Sequence, residues 1–169
     1  MTRARRSVRV AAFVLGAAAL GSCSELATAP VFPLDAPPTA MLLSYGGYGF
    51  GSHDVTSRGD TLIVTRRPDF SNDGPTVTRV VPSPAAWNDF WRAADAAGVR
   101  SWPSACRNDA VADGGGFSLD LTYAGGRIRS TGSNSYPLRT GRCNRDPEHS
   151  PEFAAFLTAV SRLIGRRYP

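Results

Sequence analysis

From residue 117 the chain alternates: Phe117, Leu119, Leu121 and Tyr123 are large and apolar, while Ser118, Asp120 and Thr122 between them are polar. A period of two marks a strand with one buried face. Ala124-Gly125-Gly126 supplies a turn, and a second strand returns through Ile128. Earlier in the chain, "MLLSYGGYGF" (41–50) mixes β-formers with glycine, and "DTLIVTRR" (60–67) is β-branched and bounded by turn residues. "TVTRVV" (76–81) follows the turn-rich "PDFSNDGP" (68–75). "SRGDT" (57–61) fits a tight hairpin with Gly59 at positive φ. Arg58-Gly59-Asp60 is also the tripeptide of cell-adhesion ligands, but three residues support only the turn.

Two segments switch to helical spacing. Trp87, Phe90, Trp91 and Ala94 recur every three or four residues, behind a Ser83 cap and Pro84, with Gly98 as the stop. Phe153, Phe156, Leu157, Val160 and Ile164 do the same behind Ser150-Pro151, ending at Gly165. The aromatic stripe of the first helix is read as a docking face, not a ligand site. The order strands, helix, strands, helix predicts an α+β domain over 41–169. Its sheet is mainly antiparallel, with both amphipathic helices packed on one face.

Upstream the pattern changes. "VAAFVLGAAALG" (10–21) is continuously apolar after Arg3, Arg5, Arg6 and Arg9. Twelve residues are too few to span a bilayer core of roughly 30 Å as a helix. A charged start and a short apolar run are the pattern of an export signal, expected over 1–22. "SELATAPVFPLDAPPTA" (24–40) holds Pro30, Pro33, Pro37 and Pro38, which favour an extended tether. The second reading of that stretch is an arm packed along the domain by Val31, Phe32 and Leu34.

The apolar run ends in Leu20-Gly21-Ser22-Cys23, which resembles the lipobox of bacterial lipoproteins. The resemblance implies that Cys23 becomes the acylated first residue of the mature chain. It implies a membrane partner through the acyl chains and an address in the cell envelope. Ser24, where an Asp would favour the inner membrane of enterobacteria, points to the outer membrane, so the expected address is the outer membrane or a periplasm-facing position in a Gram-negative bacterium. Charge then changes meaning. The whole chain carries a formal +5, but beyond residue 22 fifteen arginines meet fourteen acids. The basic excess belongs to the signal, and nucleic acid is not an expected partner.

With Cys23 acylated, Cys106 and Cys143 remain in polar, loop-like surroundings, and in an exported protein they are expected to form a disulfide. No C-x-x-C spacing exists, and no zinc set surrounds His149. Asp109, Asp113 and Asp120 match calcium-loop positions with Gly114 between them, but Val111 stands where an oxygen ligand belongs. Gly114-Gly115-Gly116 lacks a following Lys and reads as a turn. Ser52 and His53 are adjacent in a strand pattern and so point to opposite faces. No metal site, cofactor or catalytic set is therefore expected.

"GSNSYPLRTGRC" (132–143) is the candidate partner-binding loop, with Asn134, Tyr136, Arg139 and Arg142 expected at its surface beside Cys143. Together with "WNDFW", "GVRSWP" and "ADGGGFSLDL" it is loosely similar to small exported bacterial domains, a likeness that implies no activity. The functional expectation is a lipid-anchored, non-enzymatic domain binding an envelope protein, peptide or glycan. An envelope hydrolase using dispersed carboxylates and a structural lipoprotein anchoring an assembly are the alternatives.

Overall fold

A computed structural model describes residues 32–49, 51–70, 72–146 and 148–168; the expected signal segment and Cys23 lie outside them. Seven strands form one sheet in the order β4-β3-β2-β1-β6-β7-β5. They are β1 (Ala40–Gly47), β2 (Gly51–Arg58), β3 (Thr61–Arg67), β4 (Thr76–Val80), β5 (Ala105–Arg107), β6 (Gly115–Tyr123) and β7 (Gly126–Ser133). Two helices, α1 (Pro84–Ala96) and α2 (Pro151–Leu163), complete the fold. Every pairing is antiparallel except β5 with β7, so the domain is α+β as its order predicted.

The alternation read from the sequence becomes the core. Met41, Leu43 and Tyr45 of β1 and Phe117, Leu119, Leu121 and Tyr123 of β6 are buried on one face. Both helices cover that face. Phe153 of α2 lies 4.5 Å from Phe117, Trp91 of α1 lies 5.8 Å from Tyr123, and Phe90 meets Phe156 between the helices at 5.9 Å. Each fully buried aromatic contributes roughly 2–3 kcal/mol, so this layer dominates stability.

Local chemistry sets the ends of the elements. Ser83 Oγ accepts the Ala86 N–H, and Ser150 Oγ accepts the Phe153 N–H while donating to the Pro137 carbonyl at 2.6 Å. Gly98, at φ 71°, ends α1 in the left-handed region that a side chain resists. Gly59, at φ 63°, makes the β2–β3 turn.

The expected boundary at Met41 needs correction. Phe32 is only 4% exposed, and its ring stacks 4.8 Å from Trp91 and lies 4.9 Å from Tyr123. The Arg100 guanidinium lies 5.1 Å from its centroid, and the Trp91 indole N–H donates to the Ala36 carbonyl at 2.8 Å. Residues from Phe32 onward therefore belong to the folded body, as the arm reading had it, because Phe32 finds an aromatic slot that proline spacing does not reveal. Leu34 stays exposed at 40%.

Cys106 and Cys143 form the expected disulfide, with Cα atoms 5.5 Å apart. It ties β5, a three-residue edge strand, to the segment where Pro137 bridges Cys143. In the chain-entropy treatment, closing a loop of this length stabilises by about 4 kcal/mol.

Phe32→Ala is expected to remove about 3 kcal/mol of unfolding free energy in urea, since it empties a buried aromatic slot. An unchanged midpoint would show that the arm is not coupled to the core. The double variant Cys106→Ser/Cys143→Ser should lose up to about 4 kcal/mol, and equal stability of oxidised and reduced protein would contradict that.

Candidate functional site

The loop singled out by sequence is only partly a surface. Asn134 and Tyr136 are 6% and 1% exposed, so their expected role as surface contacts is corrected; Arg139 and Arg142 are exposed. Asn134 sits at φ 54°, and its side-chain amide donates to the Val111 carbonyl at 2.9 Å. A Cβ on Gly114 would lie 1.8 Å from Asn134 Oδ1, so the glycine run is there to admit this side chain. The Tyr136 ring packs 4.8 Å from Phe153 and 4.6 Å from His149, while its backbone is pinned in both directions by Asn144. The inner half of the loop therefore seals the core. The tyrosine that marked it as a recognition surface serves packing instead.

Nor does the calcium-loop spacing survive folding. Asp120 projects from β6 on the uncovered face of the sheet, where Arg127 and Arg129 hold it at 2.7 and 3.1 Å. Hydrogen bonding from Arg127 first, then from Arg129, keeps its carboxyl below the usual range. Asp109 pairs with Arg107.

A different site emerges where the helices stop short of the sheet. After α2, Gly165 turns the chain at φ 64° and residues 166–168 cross back over β2, β3 and β4. Tyr168 anchors this tail. It is buried, its hydroxyl donates to the His53 carbonyl, and its N–H donates to Ser161 Oγ, both at 2.8 Å. Arg166 Nη1 donates to Thr78 Oγ1 at 3.0 Å. Between tail and sheet lies a groove of about 460 Å³.

Its chemistry is one-sided. Arg66, Arg166 and Arg167 line it, no lining residue is acidic, and no carboxylate pairs with the three among the described residues. Val64, Ile164 and the Tyr168 ring make its apolar wall. His53, opposite Arg66 in the β2–β3 register, also lines the groove, and its Nδ1 is buried with no hydrogen-bond partner among the described residues. Burial, then the nearby charge of Arg66, pulls the imidazole below its ordinary pKa, against a smaller pull from Asp54. Burial, then the Asp54 charge, pushes the Tyr168 phenol well above its ordinary value.

Beside the groove, the Tyr45 hydroxyl and His149 Nε2 lie 2.8 Å apart. Burial lowers the His149 pKa and raises those of Tyr45 and Tyr136. A second hollow of about 440 Å³ runs from His149 along α2 and shares Arg167 and Tyr168 with the groove. The cleft between the two helices is of similar size, but its charges, Asp89, Arg92 and Arg162, are mixed. The groove is therefore the place best built for an anion: guanidinium groups line it, and among the described residues no carboxylate competes for them.

Sequence reasoning missed this site because its parts are distant, and "TRRP" (65–68) and "GRRYP" (165–169) are its only traces. No protein-family model matches the chain, and no curated protein matches it in sequence.

Both histidines have pKa values below the ordinary 6.5 when folded. The unfolded chain then binds more protons in acid, so stability is full above about pH 6.5 and falls as pH drops through that value. Urea unfolding at pH 7.5 and pH 5 should show this loss, and His149→Gln should flatten it. Equal stability at the two pH values would contradict the assignment.

Proposed function

We propose that this protein is a lipid-tethered binding domain of the cell envelope, and that it acts by taking an anionic group of a peptide or glycan into the groove under its C-terminal tail. The observation that carries the reading is the convergence of Arg66, Arg166 and Arg167 on one hollow without an acid among its lining residues. The disulfide is compatible with export, and the lipobox resemblance supports the tether. No helix among the described residues is long and apolar enough to cross a membrane, so attachment falls to Cys23 in this reading.

The geometry also supports an orientation. Phe32 docks at the end of the sheet where Thr122 pairs with Ala40, whereas the groove lies in the rows of His53 and Val55, which align with Phe117 and Leu119. Five residues along β6 separate the first row from the Phe117 row, roughly 17 Å at about 3.3 Å per residue. From Cys23 to Phe32 the chain reaches at most about 30 Å. In this reading the tether holds the Phe32 end within about 30 Å of the bilayer.

Calorimetry on the mature protein in low salt should show glucuronate and glucose 6-phosphate binding, and glucose not binding. The triple variant Arg66→Ala/Arg166→Ala/Arg167→Ala should weaken binding at least tenfold, and added salt should weaken it in the parent. If neither anionic sugar binds, or the triple variant binds as the parent does, the groove is not the site. For the tether, Cys23→Ala should abolish metabolic lipid labelling and leave the precursor unprocessed; persistent labelling would refute it.

A further inference from the structure

Resting on that reading of the groove, we propose that the ligand is a phosphate monoester, bound as its dianion, with a neutral His53 donating a ring N–H to a phosphate oxygen. Charge is the first argument. Three guanidinium groups line one hollow, and a carboxylate would leave more of that charge unanswered than a dianion does. Guanidinium forks also match the oxygen spacing of phosphate, and three terminal oxygens can accept from several forks at once.

The balance of donors and acceptors is the second. The arginines only donate. Thr78 Oγ1 already accepts from Arg166, which directs its own hydrogen elsewhere. A phosphate dianion only accepts, so it complements such a lining without leaving a donor facing a donor. His53 completes the set. Its ring lines the groove beside the arginines, where an imidazole N–H meets a ligand that only accepts.

The surroundings decide the charge of His53. Arg66 of β3 stands opposite it, Arg166, Arg167 and Tyr168 reach it from the tail, Tyr45 of β1 pairs with it on the other side, and Asp54 follows it on β2. Apart from Asp54, whose side chain leaves the opposite face of the sheet, the protein's charged groups there are cations, which disfavour a further positive charge on the imidazole before the anion enters. The remaining volume identifies the rest of the ligand. Phosphate fills a small part of about 460 Å³, and Val64, Ile164 and the Tyr168 ring offer the rest to an organic group.

Glucose 6-phosphate should bind the mature protein at least tenfold more tightly than glucuronate at pH 7.5. Lowering the pH to 5 should weaken glucose 6-phosphate about tenfold, because a phosphate monoester takes up its second proton near pH 6, and should leave glucuronate unchanged. Tighter phosphate binding in acid would mean that His53 becomes charged and would overturn its assignment as a neutral donor. His53→Ala should cost about fivefold for the phosphate, and His53→Asn, which retains an N–H, should restore most of it. Equal affinity for the two sugars would overturn the phosphate assignment and leave the anion groove standing, whereas binding of neither removes both. Vesicles of phosphatidylcholine with phosphatidic acid present the same monoester on a bilayer. With a Cys23→Ser chain produced without residues 1–22, sedimentation relieved by glucose 6-phosphate supports a lipid head group as the source, and no sedimentation supports a soluble ester.

Discussion

The contact between Phe117 of β6 and Phe153 of α2, 4.5 Å between centroids, ties the two halves of the fold together. Phe117 is opposite Tyr45 of β1, so the same row carries the sheet's central pairing. A register slip of one residue would turn every inward aromatic of β6 to solvent, and both helices would lose their seat. Tyr136 and Trp102 pack on the same pair, at 4.8 and 5.9 Å from Phe153. The loop after β7 and the turn after α1 are thereby held by the contact that holds the sheet. The groove follows from the same constraint: α2 is seated over the centre of the sheet, and its thirteen residues leave the inner side of β2–β4 for the tail to cover.

The patterns legible in sequence were those with a local cause. Alternation through 117–123 became β6, and the two Ser-Pro starts became capped helices with their aromatic stripes buried. The cysteine pair was legible because acylation of Cys23 would leave two cysteines. The arm was not, since Phe32 owes its burial to Trp91 and Tyr123, which are 59 and 91 residues away. Local pattern also misled at Asn134 and Tyr136. Polar and aromatic residues between glycines resemble an exposed recognition loop, but φ 54° at Asn134 and the space at Gly114 turn that stretch inward.

The candidate site was illegible for a further reason. Arg66 and Arg67 are adjacent, yet a strand sends them to opposite faces. Arg67 joins Asp54 on the open side, while Arg66 enters the groove beside His53. An Arg-Arg pair in a sequence does not say which of the two is neutralised. That depends on cross-strand neighbours, hence on the register of β2 with β3, where His53 is opposite Arg66 and Asp54 is opposite Thr65.

The two faces differ in how their arginines are answered among the described residues. On the open face, Arg127 and Arg129 converge on Asp120, and Arg67 meets Asp54, which also accepts from Ser44 at 2.6 Å. An acid at the exposed Thr76, which is opposite Arg66, would do for Arg66 what Asp120 does for Arg127, at no cost to the core. Instead the concave side carries Thr76 and Thr78, whose hydroxyls add no charge. The tail that brings Arg166 and Arg167 is itself fixed by a buried tyrosine, by Ser161 and by Thr78. Like charges held near one another by rigid contacts raise the energy of the empty groove, and a bound anion lowers it. In the proposed reading the arrangement favours occupancy through preorganisation, since the cations are assembled by folding and not by an incoming anion.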